Sequence, residues 1–216
     1  MRPARDAREA AARKAASMSD DHILEELPLV AGRACGSCNV CCVALTINDV
    51  QMQKLPGIRC RHAERDNSCA IYETRPETCR KFFCGWRTLK WVREGLRPDR
   101  SGVLVQFHGT VSPETGERKL GVVITLLNGG ALRAEGLAET VSAAIAADIP
   151  VYLSVPGPPG HTSGRARIND ALQEPVRLRD KEAVLAILRE ARAMGRTGDF
   201  APIVLAPRPD TPAPDA

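Results

Sequence analysis

Cys35-Gly36-Ser37-Cys38-Asn39-Val40-Cys41-Cys42 places four thiols in eight residues, and CAIYETRPETCRKFFC, residues 69–84, adds Cys69, Cys79 and Cys84. Cys60 stands between the two stretches. These are all eight cysteines of a 216-residue chain, so every thiol falls between residues 35 and 84. A disulfide framework belongs mainly to secreted chains. The opening MRPARDAREAAARKAA is charged and has no apolar run behind it of the kind a secretory signal needs. The expectation is a cytoplasmic protein whose thiols stay reduced and ligate metal.

The spacing favours that chemistry. The pattern is C-x2-C-x2-C-C, then 17 residues to Cys60, 8 to Cys69, 9 to Cys79 and 4 to Cys84. Two-residue gaps let a short turn present two thiols to one ion, as in zinc and iron–sulfur knuckles. In a helix the first four thiols would share an arc of about 120°. Gly36 and Asn39 are poor helix formers, so a knuckle or a first helical turn is the better expectation. Further on, Thr74-Arg75-Pro76-Glu77 has the form of a capping box opening a short helix around Cys79. On such a helix Cys79 and Cys84 point about 140° apart, which makes Cys84 the outlying ligand. The candidate metal ligands are therefore Cys35, Cys38, Cys41, Cys42, Cys60, Cys69, Cys79 and Cys84. His62, two residues after Cys60, is an alternative donor that eight thiols make unnecessary for two tetrahedral sites.

Charge converges on the same segment. Residues 35–91 hold nine Lys and Arg against five Asp and Glu, so the formal +4 of the whole chain lies there. Nucleic acid is a poor explanation, because no regular pattern of stacking aromatics accompanies the excess. Thiolates on a metal are anionic, and nearby guanidinium and ammonium groups offset them. Arg75 and Arg80, which flank Cys79, are expected to support the site, and Tyr72 to pack beside it. Phe82 and Phe83 read as apolar shielding.

Aromatic residues make up 4% of the chain, so a core must come from Val, Leu, Ile and Ala. No apolar run approaches the roughly 18 residues that span a bilayer. Residues 1–30 read as an N-terminal helical arm, with Ser19-Asp20-Asp21 capping His22–Leu27. Residues 31–91 form the Cys-rich module, 92–205 an α+β half, and 206–216 a Pro-rich tail expected to be disordered. Within the α+β half, Val103–His108 and Lys119–Leu127 alternate like a hairpin around SPETGE. Ala131–Ala147 reads as a helix, Pro150–Val155 as a strand, and Arg165–Leu172 as a strand or irregular segment. Arg179–Met194 reads as an amphipathic helix stopped by Gly195. The fold class is α+β: an irregular, partly helical module stapled by metal, followed by a small sheet with two packed helices.

CGSCNVCC together with C-x-I-Y-x-x-R-P-x-x-C-R, here residues 69–80, resembles the zinc- or iron-chelating CxxCxxCC family, which includes flagellin lysine-N-methylases. The likeness covers about residues 33–91, and Cys60 fits the cysteine lying between the family's two halves. It implies a metal ion or cluster on the cysteines, zinc or iron, including the option of a 4Fe-4S cluster. It implies no reaction by itself.

Elsewhere the chemistry is thin. His22, His108 and His161 have no ligand-like neighbours. The Gly/Pro-rich loop 156–164, with Arg165 and Arg167 beside it, suits an anion in composition but lacks the order of a phosphate-binding loop. No Ser-His-Asp or Cys-His arrangement and no methyl-donor motif is recognisable. Three readings follow: a metal-binding protein of undetermined reaction, a cluster-dependent lysine methylase-like enzyme, and a structural-zinc module for a nucleic-acid or protein partner.

Overall fold

The computed structural model describes residues 28–111 and 118–206. The N-terminal arm through Leu27, the SPETGE tip and the tail from residue 207 lie outside the described residues. Four strands make the main sheet: β3 Val103–Val111, β4 Arg118–Leu126, β5 Val151–Val155 and β6 Gly164–Arg167, in that order. A two-stranded ribbon, β1 Ile47–Asn48 and β2 Gln53–Lys54, belongs to the cysteine segment. β3 and β4 form the expected hairpin, running Val103↔Leu126 to Val111↔Arg118.

β4 and β5 are parallel, and β5 pairs antiparallel with β6. Parallel neighbours need a crossover. Here a 3-10 turn, Gly129–Arg133, leads into helix α5, Leu137–Ala146. Ala131–Ala147 is thus two elements rather than one helix. Asn128 caps the 3-10 turn by accepting from the N–H groups of Gly130 and Ala131 at 2.8 and 3.1 Å.

After β6 comes α6, Asn169–Arg177, followed by α7, Lys181–Arg196. The expected strand or irregular segment at 165–172 is strand through Arg167, in β6, and helix from Asn169, in α6, which makes three packed helices instead of two. Its signal is masked by Pro175 near its end. Asn169 secures its start: Oδ1 accepts from Val151 N–H at 2.8 Å, and Nδ2 donates to the Ile149 carbonyl at 2.8 Å. α7 runs through Gly195, which does not stop it. The absent side chain there serves contact. A Cβ on Gly164 would stand 2.1 Å from the Gly195 carbonyl oxygen, so α7 meets β6 backbone to backbone.

The register sorts the two faces of the sheet. Val103, Val105, Val122, Ile124, Leu126, Val151 and Leu153 face the helices, where Val141, Leu172, Val184 and Leu188 complete an aliphatic core. The other face carries the row Leu104–Thr125–Ser154–Arg165 across all four strands.

The cysteine segment straddles the β3 edge. It contains the short helices α1 Val40–Ala44, α2 Glu77–Lys81 and α3 Gly85–Thr88, with α4 Pro98–Ser101 leading into β3. Gly85 of α3 packs against Val105 on the helix side, and Trp86 joins the core. On the other side, Val40, Val43 and Ala44 of α1 face Leu104 and Thr125 across a cavity of about 320 Å³. Among the described residues no helix is long and apolar enough to cross a membrane.

Candidate functional site

The first four thiols divide between a turn and a helix. Cys38 N–H donates to the Cys35 carbonyl at 2.9 Å, and Gly36 inside this knuckle takes φ +52°. Left-handed backbone there is what glycine permits. Cys41 and Cys42 follow on α1, with their sulfurs 4.0 Å apart. Cys60, the one fully buried cysteine, is pinned to this helix by its N–H donating to the Cys42 carbonyl at 2.8 Å. Cys69 is held beside Cys60 through Ala63, which pairs with Cys69 in a β-bridge and donates to the Cys60 carbonyl at 3.0 Å.

Cys79 sits in α2, but the expected capping box is not made. Pro76 holds the N-cap position and no side chain caps the helix. Glu77 pairs instead with Lys81 at 3.0 Å, one turn along. α2 ends at Lys81, and Cys84 starts α3 as a separate element.

Charge interactions link the thiols in two groups that overlap at Cys41 and Cys42. The Cys79 thiol is raised above its ordinary value by burial first, then by the charges of Cys42, Cys60 and Cys69. The Cys84 thiol is also raised, by burial and then by Cys35 and Cys38. Cys38 is raised by burial, with Asp99 and Cys35 adding to it. Cys79 thus interacts with Cys42, Cys60 and Cys69, and Cys84 with Cys35 and Cys38. Cys41 interacts with Cys42 first, then with Cys38 and Cys35. Among the described residues, no group of three or more His, Cys, Asp or Glu is placed so that it could hold a metal ion.

Cys42 is the most acidic thiol of the pair on α1. A hydrogen bond from the Cys41 thiol brings it down to about 6, against the opposing effect of burial, and the charges of Lys54, Arg75 and Arg59 help. The same hydrogen bond and burial drive Cys41 upward, so Cys41 keeps the proton.

The cations have a use that the sequence does not reveal. Lys54, only 6% exposed, donates from Nζ to the carbonyls of Val43, Leu55 and Ile58 at 2.9 to 3.0 Å. Burial pulls its ammonium below the ordinary value, and the charges of Cys60, Cys42 and Cys41 act in the opposite sense. Arg33 donates to the carbonyls of Trp86, Leu89 and Val92 at 2.6, 3.1 and 2.7 Å, with its guanidinium over the Trp86 ring. Arg97 donates to the Cys35 carbonyl at 2.8 Å and pairs with Asp99 at 2.9 Å. Arg59 donates to the carbonyls of Ala63 and Glu64. Polypeptide without regular structure leaves carbonyls to be satisfied, and these cations satisfy them.

Arg75 is half-buried, donates from Nε to the Tyr72 carbonyl at 2.8 Å, and lies 3.7 Å over the Tyr72 ring. Its charge lowers the thiols of both Cys42 and Cys79. Tyr72 itself is 54% exposed and packs in no core. Arg80 is exposed, and no contact from its side chain to a thiol is seen among the described residues. Phe83 lies at the surface under Arg87 rather than over the thiols. His62 N–H points at the Cys60 sulfur at 3.5 Å, while its ring nitrogen is 3.1 Å from Arg61 Nε. His108 stacks edge-on against Tyr152, and His161 bonds the Pro159 carbonyl.

No family model matches the chain, nor does any curated protein or solved structure. The likeness to the CxxCxxCC proteins stands on the two cysteine motifs alone.

Proposed function

We propose that the protein binds metal through two four-thiolate sites, Cys42, Cys60, Cys69, Cys79 and Cys35, Cys38, Cys41, Cys84, holding zinc or an iron–sulfur cluster. The observation that carries this reading is the poverty of the segment's interior. Between residues 31 and 83 only Met52, Lys54, Cys60 and Pro76 are buried, so little apolar burial stabilises more than fifty residues. Small segments of that kind rely on a staple, and clustered thiols supply one by ligating metal. The donor set is all sulfur, which suits zinc or iron clusters over harder cations. Eight thiolates with two divalent zinc ions sum to −4, which offsets the segment's +4.

The raised thiols fit the same account. Cys38, Cys79 and Cys84 hold their protons because burial, and after it the charge of neighbouring thiolates, disfavours ionisation. A bound dication reverses that balance, so loading should release protons and tighten as pH rises. The absorption spectrum of anaerobically purified protein tests the metal's identity. A band near about 400 nm indicates a cluster, and a colourless protein with stoichiometric zinc the alternative. Neither metal nor band would refute the proposal.

Arg75 is expected to matter through its effect on two thiols. Arg75→Ala should weaken metal binding about 10-fold, the scale on which supporting partners of ligands act. Competition with a chromophoric chelator measures it. Arg80→Ala should leave affinity unchanged, and equal chelator resistance in both variants would reject the supporting role.

A further inference from the structure

A second cavity, about 430 Å³, opens beyond the C-terminal ends of β4 and β5. It owes nothing to the thiols. These two strands are the parallel pair of the sheet, and their outgoing loops, Leu127–Gly129 and Pro156–Pro158, form two of its walls. Crevices at the carboxyl ends of parallel strands are where open sheets with crossover helices bind ligands. The third wall is α7, which presents Arg192 and Arg196 one turn apart, with Phe200 beyond them.

The charge in this crevice is one-sided. No carboxylate lines it, and neither arginine makes an ion pair among the described residues. Arg192 Nε is buried without a hydrogen-bond partner. Its Nη2 is 3.8 Å from where a Cβ on Gly129 would stand, so the guanidinium lies alongside the Leu127–Gly129 wall. A buried donor without an acceptor is costly, and two adjacent guanidiniums suit a phosphate. Phe200, Pro156 and Leu127 make the remainder apolar, and the volume fits a small organic molecule.

We propose that this crevice binds a small organic phosphate, with Arg192 and Arg196 on the phosphoryl oxygens and the Phe200 ring against a planar body. Isothermal titration of the full chain, with its metal retained, tests this with adenosine monophosphate, adenosine and inorganic phosphate. The monophosphate should bind at least about 10-fold more tightly than either of the others. That is the scale of a charge-assisted hydrogen-bond pair in a partly enclosed site. Arg196→Ala, at an exposed position, and the more conservative Arg192→Gln should each weaken the monophosphate about 10-fold, while Arg189→Ala changes nothing. Binding of adenosine or inorganic phosphate equal to the monophosphate would overturn the proposal. So would unchanged binding in both arginine variants, equal loss in Arg189→Ala, or no binding of the monophosphate at millimolar concentration.

Discussion

Removing metal from the purified protein with a strong chelator is expected to abolish protection of backbone amides across residues 35–84 while the sheet stays protected. A structural zinc site contributes on the order of 10 kcal/mol to the fold around it. The segment has little to replace that with, because Met52, Cys60 and Pro76 are its buried apolar side chains before residue 84. The α+β half has its own core, built from Val103, Ile124, Leu153, Val141 and Leu188 among others. Hydrogen exchange followed by mass spectrometry resolves the two. Protection over 35–84 that survives complete chelation would contradict the stapled account.

The second large effect is assigned to Lys54. Its ammonium satisfies three carbonyls that bring α1, the end of the β1–β2 ribbon and the Ile58 turn together. Lys54→Met keeps the apolar stem and removes all three donors. Leaving buried carbonyls unpaired costs about 1–3 kcal/mol each in the absence of rearrangement. A loss of about 3 kcal/mol of local stability is expected, read as faster exchange of amides from Val43 to Ile58. The variant should also retain its metal less well, since α1 carries Cys41 and Cys42. Exchange and metal retention equal to wild type would show that water serves these carbonyls as well as the lysine does.

Much of the sheet was readable because its signal is local. The alternation in Val103–His108 and Lys119–Leu127 and the turn residues between them are enough to specify a hairpin. α7 was equally plain, apart from Gly195, whose role is a close approach to Gly164 and not a helix stop. α6 was missed because Pro175 obscures the periodicity, and because Asn169, which anchors the helix, acts on a strand eighteen residues away.

The cysteine segment was legible as a concentration of thiols and opaque as geometry. Spacing suggests which thiols can meet, but the path of the chain between them depends on left-handed turns at Gly36 and Asn67 that periodicity does not encode. Cys84 illustrates this. Extending α2 through it suggests an outlying ligand, whereas the break after Lys81 returns it to Cys35 and Cys38. The excess of Arg and Lys invited a reading against thiolate charge alone. Lys54 and Arg59 from that excess, with Arg33 and Arg97 on either side of it, also hold backbone carbonyls, a role visible only once the loops are in place.

Metal content per chain, measured by elemental analysis on anaerobically purified wild type, Cys79→Ser and Cys84→Ser, tests the two-site account most directly. Wild type should carry about two zinc ions, or the iron of two clusters, one site for each set of four thiolates. Each variant should lose about half of that metal and keep the rest, because Cys79 and Cys84 serve different sites. Wild type lacking metal, with eight freely titrating thiols in the folded protein, would contradict the account. So would complete loss of metal in both variants, which would mean one shared site.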